Sequence, residues 1–399
     1  MSIRFCVALA LALGAAIAAT PVPAADDATT QALQTLKRVA REGKGNEDAG
    51  PAWKSLVSKG GPALMPTLEA FEDGNTTAAN WLRTAVDAIT EAEKTAGRKL
   101  PADKLEAFTT NPKFAAAARR LAYELLVAQD PSARGRLLPG FVNDKSLELR
   151  RDAIANELDI LERVARPSIK ADLEKLFAAT RDKDQVELLA KKLNENGGKA
   201  SIAEHFGFVT YASLVGPFDA PESKGFTIAY PPESAKDTGG KFTGKDAAEL
   251  KWVPASTGDK YALFDLNKLL GKHKNSVAYA LATVVSDRET PCEIRVTSYT
   301  SVKIFLNQKE LFGRDEYHHG TPFDANIGRG TLRKGENVIV LKICQNNQTE
   351  SWAQNWQFQM RVCDDTGGLI PGVTQLSTDG KSVPLGFSLP QPANKEEKK

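Results

Sequence analysis

The chain has 399 residues, 42% hydrophobic and 26% charged, with a formal charge of +2. That composition is ordinary for globular protein, and the length allows two or three domains. Near-neutrality gives no basis for binding nucleic acid or an anionic membrane surface.

Residues 1–25 have the form of a secretory signal peptide. Arg4 supplies the positive start, Phe5 to Ala19 an uninterrupted run of apolar and small residues, and Val22-Pro23-Ala24 a small-residue cleavage site. The run is too short for a membrane span, and Cys6 stands at its beginning rather than at its C-terminal end, so it is not a lipobox cysteine. The expectation is a secreted or periplasmic protein with no membrane span.

A helical domain is predicted over 27–196. Apolar residues recur at helical spacing in Leu64, Leu68 and Phe71, in Leu82, Val86 and Ile89, and in Leu147, Ile154, Leu158 and Leu161. The pairs Met65-Pro66, Leu100-Pro101 and Leu138-Pro139 recur at near-regular intervals. The clearest unit runs from Leu137 through Pro139-Gly140-Phe141-Val142-Asn143-Asp144 into Leu147-Glu148-Leu149-Arg150-Arg151-Asp152-Ala153. It resembles a HEAT repeat, which implies that Ser146 caps the second helix and that Arg150 ties neighbouring repeats. An irregular helical bundle is the other reading. Either would expose a broad surface for a protein partner or act as a spacer.

Asn194-Glu-Asn-Gly197-Gly198 closes the helices. Beyond it, strands are expected at 208–214, 226–230, 249–253, 261–266, 277–285, 293–299, 302–306, 338–344 and 355–362. The fold class that follows is multidomain α and β: a helical stack, then an antiparallel β-sandwich over 205–365. Residues 366–399 are expected to form a partly disordered extension, with Pro390–Lys399 as its polar tail.

The stretch Val302-Lys-Ile-Phe-Leu-Asn-Gln-Lys-Glu-Leu-Phe, followed by Glu316-Tyr-His-His-Gly-Thr-Pro-Phe323 and Leu332-Arg-Lys-Gly-Glu-Asn-Val-Ile-Val-Leu341, carries a second resemblance. It is similar to the last third of the galactose-binding-like sandwich, the jelly-roll sugar-binding module of glycoside hydrolase family 2. The resemblance implies a jelly roll with ligand-binding rim loops. Related modules have Asn-Gly in the first hairpin where this chain has Asn307-Gln308, and Gln enters a left-handed turn less readily than Gly.

Two rim loops carry chemistry suited to sugars. Asp315, Tyr317, His318 and His319 stand in one; Asn346, Gln348 and Trp352 stand in the other. Sugar rings stack on aromatic faces while amides and carboxylates bond their hydroxyls. Trp352 is expected to be an exposed platform or a lid over the core, whereas Trp356 alternates with Phe358 and Met360 and points inward. No cofactor is expected beyond a possible structural Ca²⁺, for which Asp219, Asp315 and Asp324 are candidates.

Gly239-Gly-Lys-Phe-Thr-Gly244-Lys245 imitates a phosphate-binding loop but continues into Asp246, which would face the phosphates with a carboxylate. There is no Gly-x-Ser-x-Gly elbow and no His-Glu-x-x-His, so no catalytic residue is assigned. Cys292 shares a face with Ile294 and Val296. Cys344 shares one with Lys342, and Cys363 one with Arg361 and Gln359, both faces expected to meet solvent, so either a Cys344–Cys363 disulfide forms if their strands adjoin or both stay reduced. Two functions remain: an exported non-catalytic carbohydrate-binding module on a helical spacer, or a scaffold whose helices hold an exported protein partner. An exposed Trp352 favours the first.

Overall fold

In a computed structural model, residues 26–163, 168–320 and 322–387 are described. The signal segment 1–25 and the tail from Pro390 lie outside them. The chain divides into two compact units, one ending at Arg134 and the other beginning at Gly135.

The first unit is helical: α1 (Asp27–Lys37), α2 (Asn46–Ser58), α3 (Leu64–Glu69), α4 (Thr76–Thr95), α5 (Ala102–Thr110) and α6 (Ala116–Gln129). A stripe of Leu82, Val86 and Ile89 buries one face of α4, as its helical spacing requires. Asn75 begins α4 by accepting from Ala78 N at 3.1 Å. It also donates to the carbonyls of Lys37 and Val39, at 3.2 and 3.0 Å, which ties the end of α1 to the start of α4. After α7 (Ala133–Leu137), the second unit continues with α8 (Leu147–Arg163), α9 (Lys170–Ala179), α10 (Lys183–Glu195) and α11 (Ile202–Phe206). Leu158, Leu173, Leu176 and Leu189 form one apolar cluster among α8 to α10.

The strands follow as β1 (Tyr211–Asp219), β2 (Lys241–Thr243), β3 (Glu249–Lys251), β4 (Val253–Ser256) and β5 (Phe264–Asp265), with a short α12 (Leu266–Leu269). Next come β6 (Ser276–Ser286), β7 (Thr290–Ser298), β8 (Val302–Leu306), β9 (Lys309–Arg314) and β10 (Asn326–Leu332). The last are β11 (Gly335–Gln345), β12 (Gln357–Cys363), β13 (Val373–Leu376) and β14 (Ser382–Pro384). One sheet runs β14-β13-β6-β11-β8-β9, with β1 between β6 and β4; the other runs β10-β7-β12-β5. All pairings are antiparallel. Between the sheets, Ile304, Ile339 and Leu341 meet Ile294, Val296, Phe358 and Met360.

The sequence placed a strand at 226–230, but a 3-10 turn (Pro221–Phe226) and irregular chain occupy this region. The carbonyls of Phe226 and Ile228 accept from Lys342 Nζ, at 3.1 and 2.5 Å, and not from a neighbouring strand. Residues 366–387, expected in a partly disordered extension, include β13 and β14, and β13 adds to the edge of β6. At the β8–β9 hairpin, Asn307 and Gln308 both have positive φ, 50° and 71°, as a type I′ turn demands. Asn307 is braced there by Asn337 Oδ1 at 2.9 Å and by Val338 N at 3.0 Å.

The faces carrying Cys344 and Cys363 are not solvent faces. β11 pairs with β6 and β8, β12 with β7 and β5, so the two cysteines lie in different sheets and are free thiols. The candidate disulfide does not form. A layer including Phe218, Trp252, Phe226 and Tyr230 covers the outer face of β6 and β11, burying Val340, Lys342 and Cys344. On the other sheet, Phe206, Phe208 and Phe323 form a cluster beside Arg361. Burial pushes the thiols of Cys292 and Cys363 up to about 11 and that of Cys344 up to about 12. A thiol held protonated is a poor nucleophile.

His205, at the end of α11, is buried with its Nε2 at 3.0 Å from the carbonyl of Thr180. Burial, aided by the charge of Arg181, lowers its pKa to about 4. The folded state therefore resists protonation that the unfolded chain accepts near pH 6.5. Stability is full above that pH and falls as pH drops towards 4, by at most roughly 3 kcal/mol. His205→Gln should flatten this part of the denaturation-midpoint profile; an unchanged slope would contradict the assignment.

Candidate functional site

The site lies where β6 begins and β11 ends. Their register runs from Gly335 opposite Ser286 to Gln345 opposite Ser276, and one further bond, Asn275 N to Asn346 O at 2.9 Å, carries it past the strands. Asn346 is thereby fixed and buried, and its side chain becomes the hub. Its Oδ1 is 2.9 Å from His318 Nε2 and accepts from Gln348 N at 3.2 Å, while its Nδ2 donates to Gln348 Oε1 at 2.6 Å. An amide oxygen only accepts, so His318 holds its proton on Nε2. The His318 backbone sits at φ 54°, an uncommon region for a residue with a Cβ. Its N–H donates to the carbonyl of Tyr299 at 2.7 Å.

Trp352 stands at the centre of a 3-10 turn, Ser351–Ala353. The turn is anchored beneath by buried Ala353, whose carbonyl accepts from Lys274 Nζ at 2.7 Å. The indole is 59% exposed and meets the His318 ring edge-on, with centroids 5.4 Å apart at 81°. Trp356, four residues on, is fully buried and donates to the carbonyl of Ile343 at 3.3 Å.

His318, Asn346, Gln348 and Trp352 are thus brought together. The other expected ligand residues have different surroundings. Tyr317 packs on the cluster around Cys344, with its hydroxyl buried near Ser301 and Cys344, and burial raises its pKa. Its ring serves the covering layer. His319 places Nδ1 at 2.7 Å from the carbonyl of Gly320, and Asp315 accepts from Ser301 Oγ at 2.8 Å.

The three candidate calcium ligands do not converge. Asp324 is held by Arg295 Nη1 at 3.0 Å and by Arg361 Nε at 2.8 Å, Asp315 by Ser301, and Asp219 lies 3.8 Å from Lys245 Nζ. Among the described residues no group of three or more His, Cys, Asp or Glu side chains is arranged to hold a metal ion.

Sequence reading assigned no role to Ser223 and Asn275, which support the second loop. Asn347 N donates to Ser223 Oγ at 3.2 Å, and Ser223 Oγ donates to Asn275 Oδ1 at 3.0 Å. Both have positive φ, 60° and 49°; an Asn between Lys and Ser is the only local sign of such a turn. Also unforeseen is a cavity of about 310 Å³ whose lining includes Tyr261, Tyr299, Phe323, Gln357 and Gln359.

No family model matches the chain, and no curated protein does. Solved structures give likenesses of low score. A family 35 carbohydrate binding module from an environmental isolate is 12% identical, at a TM-score of 0.18, over 25% of this chain and 71% of its own. An anti-sigma factor domain-containing protein is 12% identical, at 0.23, over 45% of this chain and 46% of its own. A beta-glucosidase from Kluyveromyces marxianus in complex with glucose is 14% identical, at 0.24, over 40% of this chain and only 17% of its own. The chain thus spans less than half of the second and a small part of the third, and at these scores the likenesses decide nothing about function.

Asn346→Ala removes the hub and strands the Gln348 amide and the His318 N–H. We expect a loss of about 1–3 kcal/mol and faster hydrogen exchange confined to 315–320 and 345–352. Unchanged exchange in both segments would show that the loops are held by something else.

Proposed function

We propose that this is an exported, non-catalytic carbohydrate-binding protein, secreted or periplasmic. In it a sandwich of galactose-binding-like, jelly-roll type is carried on HEAT-like helices. The observation that carries the reading is the exposure of Trp352 beside the bonded group of His318, Asn346 and Gln348. Trp exposed on a rigid turn presents an apolar face for a sugar ring, with polar donors and acceptors beside it. Fixing those groups beforehand reduces the entropy lost on binding. Binding without turnover fits a site whose polar groups are amides and one imidazole.

The helical part of the proposal is supported by two arginines. Arg150 in α8 donates to the carbonyls of Asn143, Asp144 and Ala179, at 3.0, 2.7 and 3.2 Å, linking the preceding turn to the end of α9. Arg119 in α6, also buried, donates to the carbonyl of Thr109 at 2.8 Å. Ser146 Oγ accepts from Leu149 N at a long 3.5 Å, a weak form of the expected cap. Among the described residues no helix is long and apolar enough to cross a membrane. The scaffold reading has its own observation, an open groove of about 390 Å³ lined by Asn46, Thr77 and Trp81 in the helical unit.

The full chain, screened on a glycan array and on polysaccharide gels, should retain at least one glycan. Trp352→Ala should weaken retention by about tenfold or more, the loss of one stacking contact, while the melting temperature hardly moves because the side chain is exposed. Repeating the screen with Ca²⁺ and with a chelator tests the metal. Failure of the wild type to retain any glycan would end this reading in favour of the scaffold.

A further inference from the structure

A second cavity, of about 250 Å³, lies within the second unit against the outer face of the four-stranded sheet. Six cationic side chains line it, Arg150, Arg151, Arg181, Lys183, Arg295 and Arg361, against two carboxylates, Asp182 and Asp324. Both carboxylates are engaged: Asp324 holds Arg295 and Arg361, and Asp182 pairs with Arg151. From outside the lining, Glu293 also pairs with Arg295, and Asp184 with Arg151.

Arg150 and Arg181 are in a different state. Arg150, 6% exposed, gives its guanidinium to three backbone carbonyls. Arg181 Nη1 donates to the carbonyls of Ala178 and Thr180, both at 2.7 Å, and its Nε is buried without a partner. Among the described residues neither guanidinium forms an ion pair. Asp364 acts on both, and Asp144 on Arg150, only through space; Asp364 Oδ1 accepts from Gly368 N, Thr366 N and the Thr366 hydroxyl. Carbonyls satisfy the donors but do not cancel the charge, and an uncompensated buried charge is costly. Burial lowers the pKa of Arg181, and the charges of Arg150 and Arg361 lower it further.

The chain opposite is shaped to these groups. A Cβ at Gly368 would lie 2.6 Å from Arg181 Nη2, and one at Gly367 would lie 2.9 Å from Arg295 Nη1 and 3.0 Å from Arg361 Nη2. Gly367 also has φ +81°. Two glycines let the backbone pass against three guanidinium groups.

We propose that this cavity takes a tetrahedral oxyanion, phosphate or sulfate, either free or carried on an ester. Guanidinium forks match such oxygens in pairs, and the anion supplies the charge that Arg150 and Arg181 lack. Lys183 and Phe323 line this cavity and also the neighbouring one of about 310 Å³. An ester's polar body would lie there, beside Gln357 and Gln359. This site is independent of Trp352.

The test is calorimetric titration of the full chain with sodium phosphate, sodium sulfate and glucose 6-phosphate, against sodium chloride at matched ionic strength. Saturable binding of at least one is expected, and preference for the ester or the inorganic ion separates the two sources. Arg181→Gln should weaken it by about tenfold, the loss of charge-assisted bonds. Lys183→Gln, on the exposed rim, should weaken it by about threefold. Trp352→Ala should titrate like the wild type. No saturable response to any of the three anions, or wild-type titration by both Arg181→Gln and Lys183→Gln, overturns the proposal; if Arg181→Gln does not fold, Lys183→Gln decides alone.

Discussion

The pairing of β6 with β11 is the constraint on which the second unit depends. These two strands, eleven residues each, are paired along their whole length. Their register runs directly into the contact between Asn275 and Asn346. A slip of β11 by one residue against β6 would exchange the faces of β11, carrying Lys342 and Cys344 into the inter-sheet core and Leu341 and Ile343 out of it. It would also remove Asn346 from His318. Core packing and loop placement are therefore set by the same ladder.

Both sheets are covered on their outer faces, and each cover holds a buried cation. Lys342 is wholly buried. It donates to the carbonyls of Phe226 and Ile228 and to Glu233 Oε1, the last at 2.8 Å, with the Tyr279 hydroxyl donating to the same oxygen. Arg361 plays the corresponding part on the other sheet, bonded to Asp324 and to the carbonyls of Phe206 and Gly367. Such pairs add little net stability compared with apolar replacements, but breaking one leaves a buried charge. They therefore hold irregular segments to particular points on the sheets, since few other positions would satisfy the ammonium or the guanidinium.

The legible parts of the sequence were those governed by local period. The strand at 302–306 has its expected bounds. Trp356 was separable from Trp352 because it alternates with Phe358 and Met360, all three buried. Composition placed the change from helices to strands at Gly198, but one more short helix, α11, precedes β1. Alternation, however, tells only which residues share a face, not whether that face meets water. Lys342 and Arg361 read as solvent-facing because the elements that cover them, around Tyr230 and Phe206, lie more than a hundred residues away. Tyr317 reads as a sugar platform in isolation, yet it belongs to the same covering layer. The sequence named the residue types of the candidate site, of which the fold brings His318, Asn346, Gln348 and Trp352 together. The hub role of Asn346 was not, because it arises from the meeting of three chain segments.

We propose Trp352 beside His318 as the platform for a saccharide. Hydroxyl-radical footprinting of the full chain, free and bound to a retained polysaccharide, examines it most directly. Protection is expected at Trp352 and His318, with Trp81 unchanged. Equal labelling of Trp352 in both states, with protection appearing at Trp81 or elsewhere, would contradict it.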